Sequence, residues 1–468
     1  MSFTGLAFWV FFAFVLIVYW SIRERRWQNA FLLLASYLFY GWVTPWLAFL
    51  LGISTLADFL LSRSMHEKPA RTRLFMGLSL LINLGVLAFF KYYNFFSLDL
   101  AKLADTLGFG GDFLLVKVFL PAGLSFFTLK KLGYMIDVSR GTLQPTSTLV
   151  DFALYVAFFP QIVAGPIDRP QKLLPQIESQ RKWNTQYFFN SWPLLIMGLF
   201  KKVVIADSVK VIVDHIYSLN QPTLLLLSMG ALAFTLQILA DFSGYTDIAR
   251  GLALLLGFDT TENFNFPYLA LTPGDFWNRW HITLSIWLRD YIFFPIRREL
   301  MRSRIKFPQW LVLTLPPIVT MFVSGLWHGA GWTYIVWGLY YGVLISAYQL
   351  IGIRNDVKPK SYIMTGVAWA IMFCFIVFGW AIFRAPSLNW LLNIFWSLQF
   401  NTKPDENTIA LIALAITIFY STPLIIKMLA DRYLARDSFL HAVYYALAVL
   451  AIAVYINSSS PDFIYFKF

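Results

Sequence analysis

Apolar residues run along this chain in long blocks separated by short polar punctuation. The blocks lie near residues 5–20, 28–42, 46–62, 74–90, 148–163, 222–240, 309–326, 331–352, 362–383, 407–427 and 439–456. A membrane-crossing helix needs about 20 mainly apolar residues, fewer where neighbours bury it, so the pattern predicts about eleven to thirteen helical segments. The runs far exceed the alternating strands of about ten residues that build outer-membrane barrels, which excludes that architecture. The predicted fold class is therefore an all-α polytopic membrane protein. No linker, repeat or low-complexity tract divides it, and it reads as a single domain over residues 1–468. Residues 1–100 are plain hydrophobic helices, whereas residues 115–335 carry Pro, Gly and polar groups inside apolar context. Polar groups at membrane depth are costly and usually face a cavity, so function is expected in that middle section.

Composition strengthens the reading. The chain is 58% hydrophobic, 19% aromatic and 13% charged, against about 45–50% apolar and 25% charged in soluble domains. A typical soluble enzyme is excluded. There are 37 Lys and Arg against 25 Asp and Glu, a net charge of +12. The cations sit in short clusters between apolar runs, as in cytoplasmic membrane loops, and not as a nucleic-acid-binding face. Three such clusters are Arg23, Arg25 and Arg26; Arg63, Lys68, Arg71 and Arg73; and Arg297, Arg298, Arg302, Arg304 and Lys306. Placing all three in the cytoplasm puts the N-terminus outside. The first apolar run is followed by arginines without a small-residue cleavage site, so it is expected to be a retained anchor. The one cysteine, Cys374, is expected to pack or face lipid.

Candidate chemistry is sparse. Of five histidines, His66, His215 and His441 sit at block edges and read as interfacial. His281, Ser285 and Arg289 are spaced i, i+4 and i+8, with Asn278 one turn earlier, which predicts one polar helical stripe among tryptophans. The alternative is an interfacial amphipathic helix anchored by those tryptophans. His328 ends an apolar helix that starts near Trp310; at about 1.5 Å per residue it lies about 27 Å from the basic loop, in the interior or outer half of the membrane. Gly325, Gly329 and Gly331 leave room there for a ligand. A histidine that only hydrogen-bonds a neighbouring helix is the alternative.

Asp241-Phe242-Ser243-Gly244-Tyr245-Thr246-Asp247 interrupts apolar sequence, so its carboxylates need partners such as Arg279 or Arg289, or water. Residues 158–166, with two prolines and a glycine, read as a helix end or re-entrant turn. The candidate lining is Asp241, Ser243, Tyr245, Asn278, Arg279, Ser285, Arg289, Ser324 and Trp327. Neither a His-Glu-x-x-His metal set nor a Gly-Lys-Ser/Thr phosphate loop occurs, so neither a metal nor a bound cofactor is expected. A neutral histidine in an apolar tunnel suits general-base catalysis, which acyl transfer from a thioester to a hydroxyl requires.

These residues resemble the membrane-bound O-acyltransferases, in particular the branch holding the alginate O-acetylases and the D-alanyl transferases of teichoic acid. The resemblance is carried by Leu120-Pro121-Ala122-Gly123-Leu124-Ser125-Phe126-Phe127-Thr128, residues 137–141, 158–166, 198–207 and 241–247, and Asn263-Phe264-Asn265-Phe266-Pro267-Tyr268. It continues through residues 276–291, Gly325-Leu326-Trp327-His328-Gly329-Ala330 and the aromatic tail at 463–468. It implies a ring of helices around a central tunnel in the bacterial cytoplasmic (inner) membrane. It also implies that His328 is the catalytic histidine, as general base or transient acyl carrier, and that His281 positions the thioester or stabilises its oxyanion. The implied donor is a cytoplasmic thioester such as acetyl-CoA, and the implied acceptor an exported polysaccharide such as alginate or cellulose. The implied partners are the lipid bilayer, a periplasmic esterase-like acetyltransferase and the polysaccharide export machinery.

Two departures from the family pattern, Phe294-Pro295-Ile296-Arg297-Arg298-Glu299 and Lys130-Lys131, are expected to alter donor or partner docking. The alternatives are D-alanyl transfer to teichoic acid and, from another class, a transporter or export channel. The lack of an internal repeat weighs against the transporter.

Overall fold

A computed structural model describes residues 1–107, 118–353, 355, 359, 361–397, 403–435 and 438–456. The aromatic tail at 463–468 lies outside the described residues. Regular structure among the described residues is helical, apart from a single antiparallel bridge between Phe264 and Trp280. Among the described residues six helices are long and apolar enough to cross a membrane, including Trp46–Glu67, Leu224–Leu255, Gln309–His328 and Tyr362–Arg384. The chain is a multi-pass, all-α membrane protein.

Several predicted segments change length, and two of them bear on the polar clusters. The run at 148–163 is helical only over Leu149–Ala157, and residues 158–163 leave it as buried turns. Pro160 and Pro166 cannot donate backbone hydrogen bonds, which ends the helix as the sequence suggested. The run at 222–240 instead continues to Leu255, straight through Asp241 and Asp247. Those carboxylates do not break the helix because each has a lysine on the facing segment: Lys202 lies 2.9 Å from Asp241 and Lys201 lies 2.7 Å from Asp247. Gly244, midway between the two aspartates, allows that approach. A Cβ there would lie 2.8 Å from the Gly198 carbonyl oxygen.

The chain divides into two compact units, residues 1–194 with 248–261, and residues 195–247 with 262–468. The first unit is held by buried charge. Lys131 on Leu124–Ser139 is 3.5 Å from Asp58 on Trp46–Glu67, and both side chains are wholly buried. Asp58 also accepts from Ser79 at 2.6 Å and from Asn83 at 2.8 Å, so a third helix, Thr72–Thr106, joins the cluster. Lys130 donates to Gln161 at 3.0 Å, and Gln161 donates to Asp168 at 2.6 Å, which ties the turn at 158–163 to its surroundings. The expectation that Lys130 and Lys131 alter docking is therefore corrected: both point inward. The basic cluster after Tyr291 behaves otherwise, since helix Phe294–Arg302 has no buried residue.

A buried ion pair is costly to assemble but more costly to break, because the survivor is a desolvated charge. Asp58→Ala is expected to destabilise the detergent-solubilised protein by roughly 3–5 kcal/mol. Asp58→Leu combined with Lys131→Met should recover most of that loss in thermal unfolding. A single mutant as stable as the parent would show that the pair does not hold these helices together.

Candidate functional site

The second unit contains both candidate histidines. Gln309–His328 and Trp332–Leu350 form a helical hairpin whose backbones touch through glycine. A Cβ on Gly325 would lie 2.3 Å from the Tyr334 carbonyl oxygen, and one on Gly338 would lie 2.2 Å from that of Met321. Such small-residue seams are how membrane helices reach close contact. The Pro316-Pro317 kink within this hairpin removes backbone donors, while Ser346 donates to the Thr314 carbonyl at 3.2 Å across it. This close hairpin sets the imidazole of His328 against Trp337, ring centroids 5.0 Å apart and nearly perpendicular. Trp327 at 4.8 Å and Phe383 at 5.4 Å complete an aromatic surround.

His281 does not lie within a helix as the i, i+4, i+8 spacing predicted. Pro273–Arg279 ends at Trp280, and Ile282–Leu288 begins after His281, whose φ of 43° and ψ of 52° place it in the left-handed region. A non-glycine residue adopts that conformation only when its surroundings impose it. Here a short paired segment does so. Asn265 donates its backbone N–H to the Arg279 carbonyl at 2.9 Å, and Ile282 donates to the Asn263 carbonyl at 3.0 Å. The Asn263 side-chain oxygen accepts from the Thr283 backbone N–H at 3.1 Å and from the Thr283 hydroxyl at 2.9 Å, and lies 3.3 Å from His281 Nδ1.

Because Asn263 Oδ1 already faces the Thr283 N–H, its amide orientation is determined, and His281 Nδ1 is left to donate. Nε2 then offers a lone pair and no proton. Asn263 is the site residue that spacing did not single out. Its only signal was membership of the Asn-Phe-Asn-Phe-Pro motif.

The two histidines meet at one side chain. Trp327, which touches His328, also lies 6.0 Å from the His281 ring, and Phe242 lies 4.8 Å from His281 on another side. The other predicted residues fall into two groups. Asp241, Ser243, Tyr245, Ser324 and Trp327 are buried. Asn278 and Arg289 are exposed, while Arg279 and Ser285 are half-buried. The break at His281 separates Asn278 and Arg279 from the helix that carries Ser285 and Arg289, so the single polar stripe does not form.

The expected arginine partners are likewise corrected. Asp241 is held by Lys202, which also meets Asp207 at 2.8 Å, whereas Arg279 pairs with Asp275 at 2.7 Å and Arg289 with its neighbour Asp290 at 3.3 Å. No cluster of three or more His, Cys, Asp or Glu suited to a metal occurs among the described residues.

Comparison with known proteins places this geometry. The profile of the membrane-bound O-acyltransferase family matches residues 79–385, which include both histidines and Asn263. The chain belongs to that family. It is 37% identical to a probable alginate O-acetylase of Pseudomonas putida, over 83% of this chain and 78% of the relative. It is 33% identical to a peptidoglycan O-acetyltransferase of Helicobacter pylori, over 80% and 74%. A teichoic acid D-alanyltransferase of Bacillus subtilis is 29% identical over 57% and 69%. An acyltransferase assignment sets the transporter alternative aside.

In this O-acyltransferase, burial pushes the His281 imidazole down to about 3 from its ordinary value near 6.5. The ring is therefore neutral when folded and readily protonated when unfolded. Its contribution to stability is complete above pH 6.5 and declines as the pH falls from 6.5 towards 3. The slope for one proton is about 1.4 kcal/mol per pH unit. His281→Gln, which retains a donor for Asn263, should flatten the acid limb of a stability–pH profile by about that slope. An unchanged profile would mean that His281 is solvated.

Proposed function

We propose that this O-acyltransferase takes an acetyl group from a cytoplasmic thioester, in the first instance acetyl-CoA, and delivers it across the bacterial cytoplasmic membrane to O-acetylate an exported polysaccharide. The observation that carries this reading is the pair of buried histidines gathered at one indole, in a chain similar to O-acetylases along four fifths of its length. The D-alanyltransferase similarity covers only 57% of the chain, which favours acetyl over D-alanyl transfer. Alginate, cellulose and peptidoglycan are all acceptors of suitable chemistry, since each offers sugar hydroxyls. Delivery through a periplasmic esterase-like partner fits a site that sits within the membrane domain.

His328 acts as the general base. It takes the proton of the acceptor hydroxyl as the oxygen attacks the thioester carbonyl, then returns it to the departing thiolate as the C–S bond breaks. The aromatic surround excludes water, which protects the thioester from hydrolysis and strengthens local electrostatics. His281 is too weak a base for that task, because efficient proton transfer needs a pKa near the working pH. Its lone pair at Nε2 instead orients a donor on the substrate. Lys202, Asp207 and Asp241 support the helix behind Phe242, and so the wall against which His281 packs.

The test is transfer of radiolabelled acetyl from acetyl-CoA to polymer in membranes from cells that express the protein at matched levels. His328→Ala is expected to reduce transfer by at least about 10²-fold, and Asn263→Ala by a smaller factor through loss of the His281 loop. Full transfer by His328→Ala would end the reading. Transfer from a D-alanyl carrier but not from acetyl-CoA would replace the acetyl donor with the other one.

A further inference from the structure

The chemistry above lacks a donor for the carbonyl oxygen. As the hydroxyl attacks, the C=O electron pair moves onto that oxygen, and the charge needs N–H or O–H groups already aimed at it. His281, in the tautomer that its contact with Asn263 favours, has no proton to offer at Nε2. Two cations of this unit are held elsewhere, Lys202 by two aspartates and Arg384 by Asp214 at 2.7 Å.

Beside His328 the interior holds donors of another kind. Trp337 is fully buried, its ring 5.0 Å from the imidazole, and no hydrogen-bond partner among the described residues reaches its Nε1–H. Ser324 is one helical turn before His328 on the same face, fully buried, and its hydroxyl is likewise without a partner. Trp277, edge-on to Trp337 at 5.6 Å, carries a second indole N–H in the same condition. Buried donors are almost always satisfied in folded proteins, so one left over calls for an explanation, a catalytic role among them. An indole N–H donates only, so it selects an oxygen with a free lone pair.

We propose that Trp337 Nε1–H, with the Ser324 hydroxyl, is the donor pair that receives the acyl carbonyl oxygen next to His328. This rests on the reading of His328 as the base. The donors are neutral, so the charge of the tetrahedral intermediate is balanced by the imidazolium that forms on His328 when it takes the hydroxyl proton. Collapse restores the C=O bond, breaks the C–S bond and passes that proton to sulfur.

The pair can be separated from ordinary packing residues by one property. Removing a donor that has no partner in the fold leaves stability unchanged or raises it, whereas removing a structural donor lowers it. In membrane vesicles with acetyl-CoA as the probe, Ser324→Ala is expected to keep the parent melting temperature in detergent and to lose at least about tenfold in kcat. Trp337→Phe is expected to lose about 10²–10³-fold in kcat, with KM for acetyl-CoA changed by less than about threefold. If Trp337→Phe fails to fold, replacement of Trp337 by 3-benzothienylalanine, which swaps N–H for sulfur in the same shape, takes its place with the same expectation.

Retention of kcat within about twofold by the Ser324 and Trp337 variants, with His328→Ala inactive, overturns the donor pair and leaves the base in place. A fall in melting temperature with Ser324→Ala also overturns it. Activity in His328→Ala overturns the reading on which the pair rests.

Discussion

Charge inside this protein is held by what the chain itself supplies, a counter-charge or a set of hydrogen-bond acceptors. Neither lipid nor a dry interior solvates an ion, and the penalty for burying one alone exceeds what any single helix contact returns. Asp58 with Lys131 and Asp241 with Lys202 meet this constraint, each joining residues far apart in sequence. The pairs therefore do structural work that apolar packing in lipid cannot. Helices surrounded by hydrocarbon gain little from burying more hydrocarbon, so polar contacts and close backbone approach decide which faces meet.

The same logic explains what could be read from the sequence. Helix existence was legible, because hydropathy over about 20 residues reports directly on the cost of exposing backbone to lipid. The turn at 158–166 was legible from its prolines. The partner of Asp241 was not, since an apolar context says only that a carboxylate needs a partner and not which segment supplies it, and the observed partner is Lys202. The break at His281 was hidden for a related reason. Periodicity presumes an unbroken helix, whereas the left-handed residue is imposed by pairing with residues 263–265, a tertiary constraint without local trace. Asn263 went unremarked as a site residue because an asparagine beside phenylalanines announces no chemistry until its amide is seen to hold a histidine.

The glycine seam links the scaffold to the site. Gly325 and Gly338 let the two helices of the hairpin touch at their backbones, and that contact, more than any hydrogen bond, sets Trp337 against His328. Larger residues would push the helices apart by the width of a side chain, enough to separate the rings. The aromatic residues then fill the space so completely that polar atoms among them have few partners to choose from. Density and polarity conflict here, and proteins usually resolve such conflict by excluding polar groups. Their retention beside a histidine argues for use.

The two histidines, though similar in burial, are held differently by their neighbours. His281 is bound at Nδ1 by Asn263 and set in a strained backbone, which lowers its entropy and commits its tautomer. It also leaves a base too weak to carry a proton at neutral pH. His328 ends a helix and is surrounded by ring faces and edges, a setting that confines the imidazole. A reaction that moves a proton from hydroxyl to sulfur needs one group that changes protonation and another that does not. In the reading proposed for this site, a mobile proton on His328 and a fixed lone pair on His281 divide that labour. On that reading a single histidine in the same aromatic surround is insufficient: the base must be free to become charged while the substrate it serves stays oriented.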